Sequence, residues 1–153
     1  MASFKGQYSA SVDQKGRVAI PAKFRSAGKA KRAPQFVLTK GLDGCLALYP
    51  TSEWKKIEAT RAEKMSGLPF SRRDYRFFDR VLNANAIDVA PDKQGRILIP
   101  SFLLEASEIT SEVLVIGVAE RIELWQPEKY KKYLEGYGET IEQVSERLFS
   151  QID

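Results

Sequence analysis

The chain has 153 residues, 43% hydrophobic and 29% charged, a balance that excludes a disordered chain and fits one compact soluble domain or two small intertwined ones. It has no histidine and one cysteine, Cys45, which removes the commonest general base and metal ligand and excludes a disulfide within the chain. The formal charge of +4 is unevenly spread: residues 1–85 carry 17 Lys+Arg against 7 Asp+Glu, and residues 86–153 carry 7 against 13.

Such polarity fits a basic face for an anionic partner, an acidic remainder that keeps the particle soluble, or head-to-tail contact between unlike halves of neighbouring chains. The longest apolar runs, such as Val113–Ile116, are too short to span a bilayer, and the N-terminus has no extended apolar segment, so a cytoplasmic protein without membrane contact is expected. No P-loop, G-x-G-x-x-G or Cys-x-x-Cys occurs, and neither metal, cofactor nor small-molecule substrate is expected.

Tyr8, Ala10 and Val12 alternate with polar neighbours, the period of a half-buried strand. Asp13-Gln14-Lys15-Gly16-Arg17 then reads as a tight turn, in which the Asp bonds its own backbone and Gly16 supplies a positive φ. Val18 and Ile20 form the return strand, which Pro21 ends. Arg17 falls on the lip of this hairpin, with Asp13 placed to brace its guanidinium. Ala22–Ala27 reads as a short helix stopped by Gly28, and Lys29–Pro34 as a basic loop, either solvated or a nonspecific phosphate contact.

Two strands, Phe36–Thr39 and Cys45–Tyr49, flank a turn at Gly41–Gly44, with Cys45 as a small buried hydrophobe. A helix starts near Thr51 and runs toward Met65 with Trp54, Ile57 and Arg61 on one side, until Gly67-Leu68-Pro69 breaks it. A second helix over Ser71–Leu82 packs through Phe77, Phe78, Val81 and Leu82. Its interleaved Arg and Asp describe an ion-paired surface or subunit contact better than a DNA-recognition helix.

The opening design then returns. Asp92-Lys93-Gln94-Gly95-Arg96-Ile97-Leu98-Ile99-Pro100 repeats the first turn at an offset of 79 residues, with Ile87 and Val89 matching Tyr8 and Ala10. Beyond Pro100 the offset contracts to 76, mapping Gly41 to Gly117, Leu46 to Ile122, Tyr49 to Trp125 and Trp54 to Tyr130. A register that slips only in a loop marks duplication of one unit. Each unit is too small to hide its apolar faces, so two copies interleaved about a pseudo-twofold into a closed barrel, both Arg turns on one side, are expected. The tail holds a helix over Pro127–Leu134, an interruption at Gly136 and Gly138, and an amphipathic stripe of Ile141, Val144, Leu148 and Ile152, to pack on its own chain or a neighbour.

A single D-x-x-x-R turn is an ordinary turn with a solvated Arg; two in register, each with the Arg, are what that reading explains least. Three functional classes follow: a DNA-binding module using Arg17 and Arg96, an assembly scaffold using the turns as subunit contacts, and an enzyme built on carboxylate pairs such as Glu120/Glu123 and Glu139/Glu142, which needs a cleft between them.

The paired turn motif, with Gly41–Leu46 and Trp54 in the first half and Glu123-Leu124-Trp125 in the second, resembles the MraZ proteins, bacterial transcriptional regulators built from two SpoVT/AbrB-type units. The resemblance runs from Gln7 to Tyr133. It implies a mainly β fold with peripheral helices (α+β), in which swapped hairpins form one pseudo-twofold β-barrel. The units expected are 7–52 and 85–128, with a helical linker over 53–84 and a helical tail over 129–153. It further implies a homo-oligomeric ring, nucleoid-associated, that binds short direct repeats of double-stranded DNA in the promoter of the cell-division and cell-wall gene cluster as an autoregulator. Arg17 and Arg96 face the DNA in this pattern, braced by Asp13 and Asp92 on the Gly16 and Gly95 turns. Lys15, Lys23, Arg25 and Lys93 are expected to neutralise phosphates. Pro21–Arg25 carries two positive charges where Pro100–Leu104 carries none, so the first unit is expected to dominate the attraction.

Overall fold

The computed structural model describes residues 3–27, 35–66 and 72–150. Gly28, the basic loop Lys29–Pro34, the break at Gly67-Leu68-Pro69, Ser71 and Ile152 lie outside the described residues. In chain order the elements are β1 (Phe4–Ser11), β2 (Arg17–Ala19), α1 (Ala22–Ala27), β3 (Phe36–Lys40), β4 (Leu46–Pro50), α2 (Thr51–Met65), α3 (Arg72–Ala84), β5 (Ile87–Val89), β6 (Arg96–Leu98), α4 (Ser101–Ser107), β7 (Glu112–Ala119), β8 (Arg121–Trp125), α5 (Pro127–Gly136) and α6 (Ile141–Phe149).

The apolar alternation of these strands is satisfied across the repeats. A six-stranded antiparallel sheet runs β1-β7-β8-β4-β3-β5, and β2 pairs with β6 in a separate two-stranded ladder. Each repeat thus lays its first strand beside the third strand of the other: Tyr8 and Ala10 oppose Val115 and Val113, while Ile87 and Val89 oppose Leu38 and Phe36. At the centre the register is reciprocal. Leu46 faces Leu124, Leu48 faces Ile122, and a pseudo-twofold passes through the Ala47–Glu123 pair. The small ladder has the same symmetry about Val18–Ile97.

A closed barrel is not what the ladders form. Among the described residues the sheet ends at β1 and β5, and an isolated bridge, Val12–Val18, joins the β2–β6 ladder to the chain just past the end of β1. The cause is local: β2 and β6 are three residues long, and Pro21 and Pro100 follow shortly after with no N–H to extend a ladder. The result is an α+β fold. The β2–β6 ladder with α1 and α4 covers one face of the sheet, and Val18, Ile20, Phe24, Ile97, Ile99 and Leu103 bury themselves there against Leu38, Leu46, Leu48, Val115, Ile122 and Leu124. Phe24 also meets the Phe4 and Tyr8 rings edge-on, at 5.4 and 5.3 Å.

The opposite face carries helices through an aromatic pair repeated in both units. Tyr49 packs on Trp54 at 5.5 Å and Trp125 on Tyr130 at 5.1 Å, as the 76-residue offset requires. The α3 helix is held by Thr39 Oγ1, which donates to Leu82 O at 2.9 Å. Its expected packing side needs one correction, because Phe77 is 67% exposed. At about 100° per residue, the half-buried Tyr75, Phe78 and Leu82 cluster on one side of the helix with Phe77 about 100° or more away from each, and half-buried Val81 lies between that cluster and Phe77. The tail stripe is also outward: α6 starts with a capping box between Thr140 and Gln143, yet Ile141, Leu148 and Phe149 are exposed.

Gly117 corrects the expected alignment. It lies inside β7, whereas Gly41 sits outside β3 and donates its N–H to Cys45 O at the hairpin. Strand registers place Phe36 and Leu38 with Val113 and Val115, an offset of 77 that falls to 76 only across the β3–β4 turn. Gly117 instead permits close approach of β1: a Cβ there would run into Lys5 N, with Phe4 C at 2.7 Å. Gly117→Ala should therefore destabilise the fold by about 1–3 kcal/mol through overpacking. Urea denaturation checks this as a lower midpoint with an unchanged slope.

Candidate functional site

Each turn uses its aspartate twice, first on backbone and then on arginine. Asp13 Oδ1 accepts the Lys15 and Arg17 backbone N–H groups, both at 2.9 Å, and Oδ2 accepts Arg17 Nε at 2.8 Å. The second turn repeats this: Asp92 Oδ1 takes the N–H groups of Gln94 and Arg96 at 2.9 Å, and Oδ2 takes Arg96 Nε at 3.1 Å. Gly16 and Gly95 adopt φ of +85° and +78°, which lets their N–H groups close on the Asp13 and Asp92 carbonyls.

The repeats then lock each other. Ile20 N–H donates to Gly95 O and Ile99 N–H to Gly16 O, each at 2.9 Å. In the β2–β6 register Arg17 faces Leu98 and Arg96 faces Ala19, while Val18 and Ile97 between them are fully buried. Both arginines therefore stand on the same outward side of the ladder, with side chains 29% and 28% exposed. They are close enough to share a carboxylate: Arg96 Nη1 lies 3.6 Å from Asp13 Oδ2. Asp13 thus serves two guanidinium groups and Asp92 one.

Both carboxyls are held below the ordinary aspartate value of 3.8. The backbone N–H of Arg17 is the largest cause for Asp13, and that of Arg96 for Asp92, with the guanidinium of the same residue adding to it.

The remaining expected contacts are placed unequally. Lys15 and Lys93 are exposed on their turns. Lys23 Nζ lies over the Tyr8 ring at 5.1 Å and 6.0 Å from the Phe24 ring centre. Arg25 Nε donates to Ile20 O at 2.9 Å, and its guanidinium packs against the second turn, where a Cβ on Gly95 would come within 2.7 Å of that nitrogen. Its counterpart, Leu104, sits beside Gly16 instead, 3.7 Å from where a Cβ would stand. Charge counted along the sequence is therefore exchanged in space: the first repeat's Arg25 flanks the second repeat's turn. Ala19 and Leu98 complete the outward face, a placement carried by the alternation Arg17-Val18-Ala19 and Arg96-Ile97-Leu98.

Three of the four carboxylates in the candidate pairs are otherwise engaged. Arg121 holds Glu120 at 3.1 Å and Glu123 at 2.9 Å, and Glu123 also accepts Trp125 Nε1 at 2.9 Å. Glu139 is paired with Arg147 at 2.6 Å. Cys45 is buried, donates to Leu42 O at 3.2 Å, and has its thiol pushed up to about 12, chiefly by burial, which leaves it unreactive at neutral pH.

Two interleaved repeats that present paired, aspartate-braced arginine turns from one small ladder define a duplicated β unit, and comparison with known proteins agrees with the duplication. The family model described as "MraZ protein, putative antitoxin-like" matches twice, over residues 3–80 and 82–152. Proteins named transcriptional regulator MraZ from Caldanaerobacter subterraneus subsp. tengcongensis, Heliobacterium modesticaldum and Carboxydothermus hydrogenoformans are 46%, 44% and 41% identical over 143, 146 and 145 residues. The alignments cover 94%, 95% and 95% of this chain and 94%, 96% and 96% of those relatives. The chain belongs to the MraZ family.

Because the folded-state values of Asp13 and Asp92 are depressed, the stability they contribute is complete above 3.8 and is lost as pH falls through the lower folded-state values. Thermal melts from about pH 6 down to about pH 2 should show a decline concentrated below 3.8. Asp13→Asn should flatten that decline more than Asp92→Asn, since its carboxylate faces both arginines.

Proposed function

We propose that this protein is a transcriptional regulator that reads double-stranded DNA through the paired turns. The observation that carries the reading is the adjacency of Arg17 and Arg96, each fixed through Nε so that its Nη groups are presented in a set orientation. An arginine so held can meet guanine O6 and N7 in the major groove, or bridge phosphates. Lys15, Lys23, Arg25 and Lys93 supply phosphate neutralisation around them. The names of the MraZ relatives point the same way.

The finer reading follows the family resemblance. The units are 7–52 and 85–128, with a helical linker over 53–84 and a tail over 129–153, and their hairpins are exchanged about the pseudo-twofold. The target is a set of short direct repeats in the promoter of the cell-division and cell-wall genes, bound by a cytoplasmic, nucleoid-associated ring that represses its own synthesis. Exposed Leu134 and Tyr137 at the end of α5 and Ile141, Leu148 and Phe149 on α6 support assembly, because about half or more of each of these residues is left open in the single chain. That stripe also favours a scaffold without DNA readout.

Arg17→Ala should weaken binding to the protein's own promoter by about 1–3 kcal/mol, roughly 5- to 150-fold, in a gel shift at moderate salt. Unchanged affinity would remove the central assignment. Leu148→Glu should lower the sedimenting mass of the assembly while leaving the fold of the chain intact.

A further inference from the structure

We infer that Leu98 is a specificity residue that contacts the C5-methyl group of a thymine adjacent to the base read by Arg17. The inference rests on the DNA-reading function proposed above and adds a second chemical class of contact to it. Leu98 is 56% exposed, whereas Ile97 and Ile99 on either side are 0% and 2%. A lone exposed leucine is ordinary. This one stands directly opposite Arg17 in the ladder, and its Cδ1 is 3.9 Å from where a Cβ on Gly16 would lie, so its side chain leans over the first turn.

The two repeats diverge around this position. At the 79-residue offset Ala19, Lys23 and Arg25 become Leu98, Phe102 and Leu104, three changes in one direction, from small or basic to apolar. Interleaving delivers two of them, Leu98 and Leu104, to the Arg17 turn, and gives Ala19 and Arg25 to the Arg96 turn. Directly paired cross-strand side chains stand about 4.5–5.5 Å apart, comparable with the roughly 3.4 Å rise between stacked bases. A leucine beside a base-reading arginine therefore meets the neighbouring base edge, and the thymine methyl is the apolar group that the major groove offers there. Ala19, opposite Arg96, is too short for the same reach. The two turns thus read unequally: the first as an arginine with a methyl sensor, the second as an arginine backed by the Arg25 charge.

The test uses the full chain and duplexes it enriches from a randomised pool. Each thymine of an enriched duplex is replaced in turn by deoxyuridine, which removes only the methyl group. For the wild type, one position should lose about fourfold in affinity, the worth of one buried methyl. Leu98→Ala should bind the thymine and deoxyuridine duplexes equally, Leu98→Ile should retain discrimination, and Arg17→Ala should weaken both duplexes together. An enriched duplex indifferent to every deoxyuridine replacement, or a Leu98→Ala variant that still discriminates, overturns this inference and leaves the DNA reading standing. A pool that yields no enriched duplex overturns both.

Discussion

Two reciprocal backbone hydrogen bonds, Ile20 N–H to Gly95 O and Ile99 N–H to Gly16 O, determine most of what this molecule presents to its surroundings. Each turn hands its carbonyl to a strand end of the other repeat, so neither turn has a fixed position until both repeats are folded together. The requirement explains the glycines better than turn geometry alone. A Cβ on Gly16 would stand 3.0 Å from Ile99 O, in addition to the strain of a positive φ. It also explains why three-residue strands suffice: Val18 and Ile97, fully buried beneath the ladder, anchor it to the core.

Upon that frame the aspartates act in sequence. Asp13 and Asp92 satisfy turn N–H groups first, and the fixed carboxylate then restricts the arginine. Ordering a long arginine side chain costs up to about 2 kcal/mol of rotamer freedom. Where the brace already exists, much of that cost is met on folding, and a partner meets a guanidinium that has less freedom left to lose. Asp13 also approaches Arg96, so its carboxylate offsets the repulsion that two adjacent cations would otherwise impose.

The repeat itself was legible because Asp, Gly, Arg and Pro each have a local reason to recur, and local reasons leave marks at fixed spacing. Partner choice was not legible. Val18 and Ile20 alternate correctly for a return strand, and nothing in that pattern says that β2 pairs along β6 and meets the chain after β1 through the isolated bridge Val12–Val18. The two arginines could be named from sequence; their sharing of Asp13 depends on a contact between positions 83 residues apart. Phe77 shows a different failure: a run of two phenylalanines hides which one faces inward until the helix phase is fixed by Thr39 and Leu82. Gly41 and Gly117 aligned by residue type, while the strand registers align by burial, and the registers prevail because a one-residue slip would turn Phe36 and Leu38 out of the core.

Interleaving changes what duplication means for such a chain. In a string of independent domains, a substitution in one copy alters that copy's surface. Here Arg25 belongs to the first repeat and lies on the second turn, while Leu104 belongs to the second and lies beside the first. A reading that assigns charge to each repeat along the sequence therefore misplaces it in space. The same geometry removes any independent fold for one unit: without its companion, Ile20 N–H loses its acceptor, β1 loses its whole partner strand, and Val18 loses the Ile97 it faces. Divergence between the copies is thus constrained to side chains that leave the shared backbone bonds intact, and the outward pair Ala19 and Leu98 is one of the places where the copies differ.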